Sequence, residues 1–194
     1  MAVSETIVRE YFELHDFFVR QNRKHIAPKR EDDEVDFYVH NPNGPTDGGE
    51  VPFVLENARD LETLTRAVVV VKAWHTEVFT QAVLAHAPEM FRFAGPETFA
   101  RATNAFGGPG PLTKILVIPA LPTSGEARQQ SIDLLHSKGI DAVIPFRTML
   151  SDLIEHIEVN RNYQKSDLLQ VIRILKNYDL FAPPQLELFD LPKP

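Results

Sequence analysis

Residues 67–74 read AVVVVKAW. Four consecutive valines are β-branched and stiff at χ1, which favours a pleated strand over a helix. A nearly continuous apolar run of this kind predicts a strand covered on both faces. Lys72 closes it, so a charged side chain leaves the most apolar stretch of the chain. An ionised lysine there needs a partner or a path to water, because desolvating its charge is costly. Upstream, residues 34–40 read EVDFYVH. Val35, Phe37 and Val39 alternate with Asp36 and Tyr38, which predicts a second strand with Asp36 on its less apolar side. If the two strands are neighbours, Asp36 and Lys72 converge at one sheet end. A carboxylate suits Mg²⁺, and a lysine can orient or deprotonate a water. Glu5, on the first predicted helix, could supply a further acid. The plain structural alternative is a solvent-facing aspartate and a snorkelling lysine.

The flanking sequence predicts a mixed α/β fold. Ser4 can cap a helix over 4–15 whose apolar face is Ile7, Val8, Tyr11, Phe12 and Leu14. Phe17 to Gln21 reads as a strand. Residues 41–65 form a long connection opening with NPNGPTDGG, within which VPFVL and DLETL can fold locally. A helix is expected within 76–87, ended by Pro88, and a short helix at 96–105. Lys114 to Ala120 is a strand, 124–138 an amphipathic helix closed by Gly139, and Ile140 to Pro145 a last strand. Helices at 147–158 and 165–180 follow. The first three strands suggest an antiparallel meander, and the later ones alternate with helices. There is no internal repeat.

The chain has 194 residues, 43% apolar and 24% charged, which suits one domain with a short appendage. The expected division is a domain over 1–181 and a flexible tail over 182–194. Cysteine is absent, excluding disulfides, thiolate catalysis and cysteine-held zinc. The longest unbroken apolar run, Ala67 to Val71, is too short to cross a bilayer. The opening MAVSETIVREYF lacks the basic and apolar regions of a secretory signal. A cytoplasmic protein is expected. Net charge of −7 argues against a protein that coats nucleic acid with its whole surface. It leaves room for a local basic site. Residues 19–30, VRQNRKHIAPKR, carry Arg20, Arg23, Lys24, Lys29 and Arg30 without an acid. Glu31, Asp32, Asp33, Glu34 and Asp36 follow directly. The pattern reads either as a solvated hairpin of paired charges or as phosphate contacts beside a metal site.

The element order, with EYFELHDFFVRQNRK, then EVDFYV, then AVVVVKAW, resembles the PD-(D/E)XK (restriction-endonuclease-like) nuclease superfamily over roughly residues 4–120. The resemblance implies a helix–three strands–helix–strand core with additional C-terminal helices. It implies Mg²⁺-dependent phosphodiester cleavage of DNA. Asp36 would hold Mg²⁺, Lys72 would activate water, and Glu5 would complete the acid set. Arg20, Arg23 and Lys24 would contact phosphates. One position departs from the pattern. The acid two residues before the lysine is replaced by Val70, which cannot ligate a metal. Some members of the superfamily draw that carboxylate from the next helix, and Glu77 is the best-placed substitute, as a catalytic residue and metal ligand. Gln81 lies one turn on. Glu62 and Glu56 are weaker substitutes, and His75 could also turn toward the site. Glu77 has a simpler reading as charge compensation at a helix N-terminus. The Val70 substitution therefore leaves an active enzyme and an inactive nuclease-like adaptor both open.

The C-terminus reads APPQLELFDLPKP. Pro183 and Pro184 stop the last helix. Residues 185–189, QLELF, closely resemble the peptide by which bacterial proteins dock on the DNA-polymerase sliding clamp. The resemblance assigns Gln185, Leu186, Leu188 and Phe189 to a pocket on the clamp. Leucine and phenylalanine anchors beside one directional glutamine suit an extended docking peptide. The alternative is a tail packed on its own domain.

Other signals carry no function. GGPGPLTK at 107–114 lacks phosphate-loop spacing and precedes a strand. The seven histidines form no zinc motif. Ser124 to Glu126 reads as a helix cap. Residues 160–178 mix basic and aromatic residues that could touch DNA, but their helical apolar spacing reads better as core.

Overall fold

The computed structural model describes residues 3–21 and 35–181. It is α/β, with α1 (Val3–Leu14), β1 (Phe18–Gln21), β2 (Phe37–His40), β3 (Arg66–Val71), α2 (Gln81–Ala85), α3 (Pro96–Ala105), β4 (Thr113–Ile118), α4 (Gly125–Ser137), β5 (Ala142–Pro145), α5 (Phe146–His156) and α6 (Asp167–Asn177). The five strands form one mixed sheet in the order β1-β2-β3-β4-β5. β1, β2 and β3 pair antiparallel, as the meander requires, and β4 and β5 pair parallel. The chain divides into two compact units, Met1–Asp152 and Leu153–Pro194. The sequence placed its boundary at 181/182, and residues beyond 181 lie outside the described part.

In the first unit, β3 fills the middle of the sheet, and Val68, Val69 and Val70 are at most 1% exposed. This is the two-sided cover that the valine run predicts. One side is closed by a cluster that includes Val68, Val70, Phe79, Leu84, Met90, Phe93, Leu116 and Leu135. The helix α1 lies against β1 and β3, and buries Ile7, Val8, Tyr11 and Phe12. Ser4 does not cap it. Ser4 stands inside the helix and is itself buried.

The expected strand over 34–40 is shorter. Ladder pairing begins at Phe37, and Val35 joins the cluster lined by Tyr38, Val68 and Val70. The alternation therefore breaks before Phe37. The helix expected within 76–87 is reduced to Gln81–Ala85. Buried Phe79 donates its N–H to the Ala120 carbonyl at 2.9 Å, which holds the chain extended up to Thr80. Thr80 then caps the short helix by accepting from the Val83 N–H. Pro88 opens a 3-10 helix, Pro88–Ala94, in place of a plain stop.

The long connection folds locally, as VPFVL and DLETL suggest. Phe53 and Leu55 exchange backbone hydrogen bonds with Val143 and cover the outer edge of β5. Ala58–Thr63 is a 3-10 helix with a capping box. The Asn57 side chain accepts from the Arg59 N–H, and the Asp60 carboxylate accepts from the Glu56 and Asn57 N–H groups.

In the second unit, Ser166 caps α6 by accepting from the Leu169 N–H. Lys176 donates to the Ile154 carbonyl at 2.6 Å, and Arg173 donates to the Val159 carbonyl. Two of the basic residues in 160–178 thus satisfy backbone acceptors. Ile172 is buried, whereas Val171, Ile174 and Tyr178 are exposed. The expected apolar face is therefore only partly core.

Candidate functional site

Register brings Asp36 and Lys72 to one end of the sheet. Gln21 pairs with Phe37, and Phe37 pairs with Val69. The exit of β1, the entry of β2 and the exit of β3 thus lie side by side. Asp36 directly precedes that row and Lys72 directly follows β3. The Asp36 N–H donates to the Val69 carbonyl at 3.0 Å, and the Val71 N–H donates to Asp36 Oδ2 at 2.7 Å. These bonds set Asp36, just outside β2, against β3.

Asp36 is not solvent-facing. It is 8% exposed, so its carboxylate spends one oxygen on a backbone donor that would otherwise end the strand unpaired. The Lys72 N–H extends the parallel ladder by donating to the Val117 carbonyl. Its side chain is half-buried, and among the described residues no acceptor is bonded to its ammonium.

The N-terminal turn of α1 meets the same corner. The Gln21 amide donates to Glu5 Oε2 at 2.9 Å, tying the helix to the exit of β1. Ser4 Oγ and His75 Nε2 lie 2.9 Å apart, tying the helix to the segment after Lys72. The His75 ring also meets Phe146 edge-on at 4.6 Å between centroids. The sequence marks His75 only as a residue able to turn toward the site and gives no sign of its bond to Ser4. A pairing of residues so distant in sequence leaves no local trace.

The proposed acids are dispersed. Glu77 is exposed in a turn whose N–H bonds the Trp74 carbonyl, and it lines a groove with Trp74, Val83, His86 and Glu89. Gln81, one turn on, is exposed at the start of α2. Glu56 pairs with Arg128 of α4 at 2.6 Å, and Glu62 is exposed on the 3-10 helix. Val70 is 1% exposed among the apolar residues of the core cluster. No three His, Asp or Glu residues gather in a metal-holding group among the described residues. A Mg²⁺ site needs several oxygen donors in near-octahedral array, and the acidic run that precedes Asp36 in sequence lies outside the described residues.

Arg20 is exposed on β1, at the edge of the sheet. Arg23, Lys24 and the acidic run Glu31 to Glu34 lie outside the described residues, as do Gln185, Leu186, Leu188 and Phe189. Among the described residues no helix is long and apolar enough to cross a membrane. Compared with family models, curated proteins and solved structures, the chain matches none.

Proposed function

We propose that this chain acts in DNA replication or repair, is brought to the polymerase sliding clamp by Gln185, Leu186, Leu188 and Phe189, and uses the Asp36–Lys72 sheet end on the DNA backbone. The observation that carries the reading is the register. It aligns Gln21, Phe37 and Val69, and so sets Asp36, Lys72 and the N-terminal turn of α1 at one corner. A half-buried lysine whose ammonium is bonded to no acceptor among the described residues suits a phosphate oxygen. Arg20 stands on the strand that exits there, and the basic run with Arg23 and Lys24 follows in sequence.

In its catalytic form the protein is a Mg²⁺-dependent DNA phosphodiesterase, with Asp36, Lys72, Glu5 and Glu77 as its set and Asp36 and Glu77 as metal ligands. Cleavage of labelled single- and double-stranded DNA, with Mg²⁺ or Mn²⁺ present, tests it. Activity that disappears in Lys72→Ala, with the fold intact by circular dichroism, supports it. Activity unchanged by that substitution rejects it.

A second reading is a non-catalytic, nuclease-like adaptor tethered to the clamp. Two observations favour it: Val70 is packed into the core, and the described carboxylates do not gather. Mn²⁺ titration separates the two, because the enzyme requires a bound divalent ion and the adaptor does not.

A further inference from the structure

Two residues beyond Lys72 the chain opens an apolar groove of about 680 Å³, lined by Trp74, Thr76, Glu77, Ala82, Val83, His86, Ala87 and Glu89. Its size falls within the range of ligand-binding clefts. The floor is apolar, and Ala87 is buried while Val83 packs against the core cluster. Trp74 keeps 39% of its surface exposed. Buried Phe79 fixes the indole from one side, the two rings 5.6 Å apart at 57°. An aromatic platform is thus held in place with part of its surface open to solvent. Indole is the strongest of the side-chain rings for a cation.

The rim is acidic. Glu77 and Glu89 are exposed, and among the described residues neither carboxylate is bonded to a cation. Among the described residues no lysine or arginine lines the groove. His86 commits Nδ1 to the Ala82 carbonyl at 2.7 Å, leaving Nε2 as its remaining polar atom. Two unneutralised carboxylates repel a phosphate chain, so the groove is ill suited to nucleic acid. They complement a guanidinium or ammonium whose aliphatic stem lies along the apolar floor.

We propose that this groove docks an arginine- or lysine-bearing peptide segment of a partner protein, with the cation between Glu77, Glu89 and the Trp74 ring. The groove shares Glu77 with the catalytic set proposed above, so this inference rests on the adaptor reading, in which Glu77 holds no metal. The groove gives a clamp-associated protein a second protein contact of opposite charge preference.

Trp74 is the only tryptophan in the chain, so its emission reports this groove alone. The full chain is titrated with the blocked peptide acetyl-Ala-Leu-Arg-Leu-Arg-amide, with the same peptide carrying glutamate for arginine, and with a short oligothymidine. The expected result is a saturable emission change with the arginine peptide alone, weakened by added salt. Glu89→Gln should weaken binding, and the double variant Glu77→Gln/Glu89→Gln should raise Kd by about tenfold, the loss of roughly 1.4 kcal/mol. Both positions are exposed, so the variants keep the fold, and the wild-type salt series stands without them. No saturable change with the arginine peptide overturns the proposal. So does equal binding of the glutamate peptide, tighter binding of oligothymidine, or an unchanged Kd in the double variant.

Discussion

A phenol buried without a hydrogen-bond partner weakens a fold, and among the described residues Tyr11 on α1 finds none. Burial pushes its ionisation far above the ordinary tyrosine range, and the charges of Asp152 and Asp60 push it further. The sign of the pH effect follows. The unfolded chain releases this proton near about pH 10 while the folded chain retains it, so stability is full below that pH and falls above it. Tyr11→Phe should unfold at the same or a higher urea midpoint at neutral pH, because an unpartnered buried hydroxyl costs about 1–3 kcal/mol. Its alkaline loss of stability should also be shallower than that of the parent. A lower neutral midpoint would show that the hydroxyl is bonded. Val70 makes the opposite case. Restoring an acid by Val70→Asp would place a carboxylate among Val68, Leu116 and Ile118. That should destabilise by roughly 3–5 kcal/mol in urea unfolding. A variant that kept parental stability and gained Mn²⁺ binding would instead make position 70 a vacated ligand site. His15 and Asp152, 2.7 Å apart and largely buried, join the end of α1 to α5. Removing the imidazole with His15→Ala should cost roughly 1–3 kcal/mol by the same measurement.

Among the elements, the segment before β3 depends on its caps. Asp60→Ala removes the acceptor for two backbone N–H groups and should cost about 1 kcal/mol. Undiminished stability would mean that water replaces the carboxylate. Elements with strong local signals were legible. The valine run fixes β3, and Pro96 after Gly95 starts α3 where the spacing places it. Elements settled by distant contacts were not. The helix after β3 is short because Phe79 is anchored to Ala120, far away in the chain. Alternation fails at Val35 because that residue joins the core cluster that holds Val68 and Val70. The site follows the same rule. Alternation and strand order put Asp36 and Lys72 at one sheet end only on the condition that their strands are neighbours, and the pairing of β2 with β3 supplies that condition. The bonds of Asp36 to Val71, Glu5 to Gln21 and Ser4 to His75 could not be read in the sequence, since each depends on how separate elements meet.

For the whole molecule, the net charge of −7 limits how DNA can be approached. Under the proposed function, DNA binding would fall on the locally basic stretch of sequence from Arg20 to Arg30 and would weaken steeply as salt rises. The two units contribute differently. Met1–Asp152 holds the sheet, its end at Asp36 and Lys72, and the Trp74 groove. Leu153–Pro194 holds α6 and ends with the QLELF peptide. The proposed recruitment and the proposed action on DNA fall on different stretches of chain, which makes them separable by experiment. The most direct measurement is binding of the intact protein to a bacterial sliding clamp, compared with a version lacking residues 185–194. A cleavage assay depends on choosing the right DNA, and this does not. The account predicts saturable binding that is lost with the tail and lost equally when Leu188 and Phe189 are both changed to alanine. Equal binding with and without the tail, or no binding by the intact chain, would contradict it.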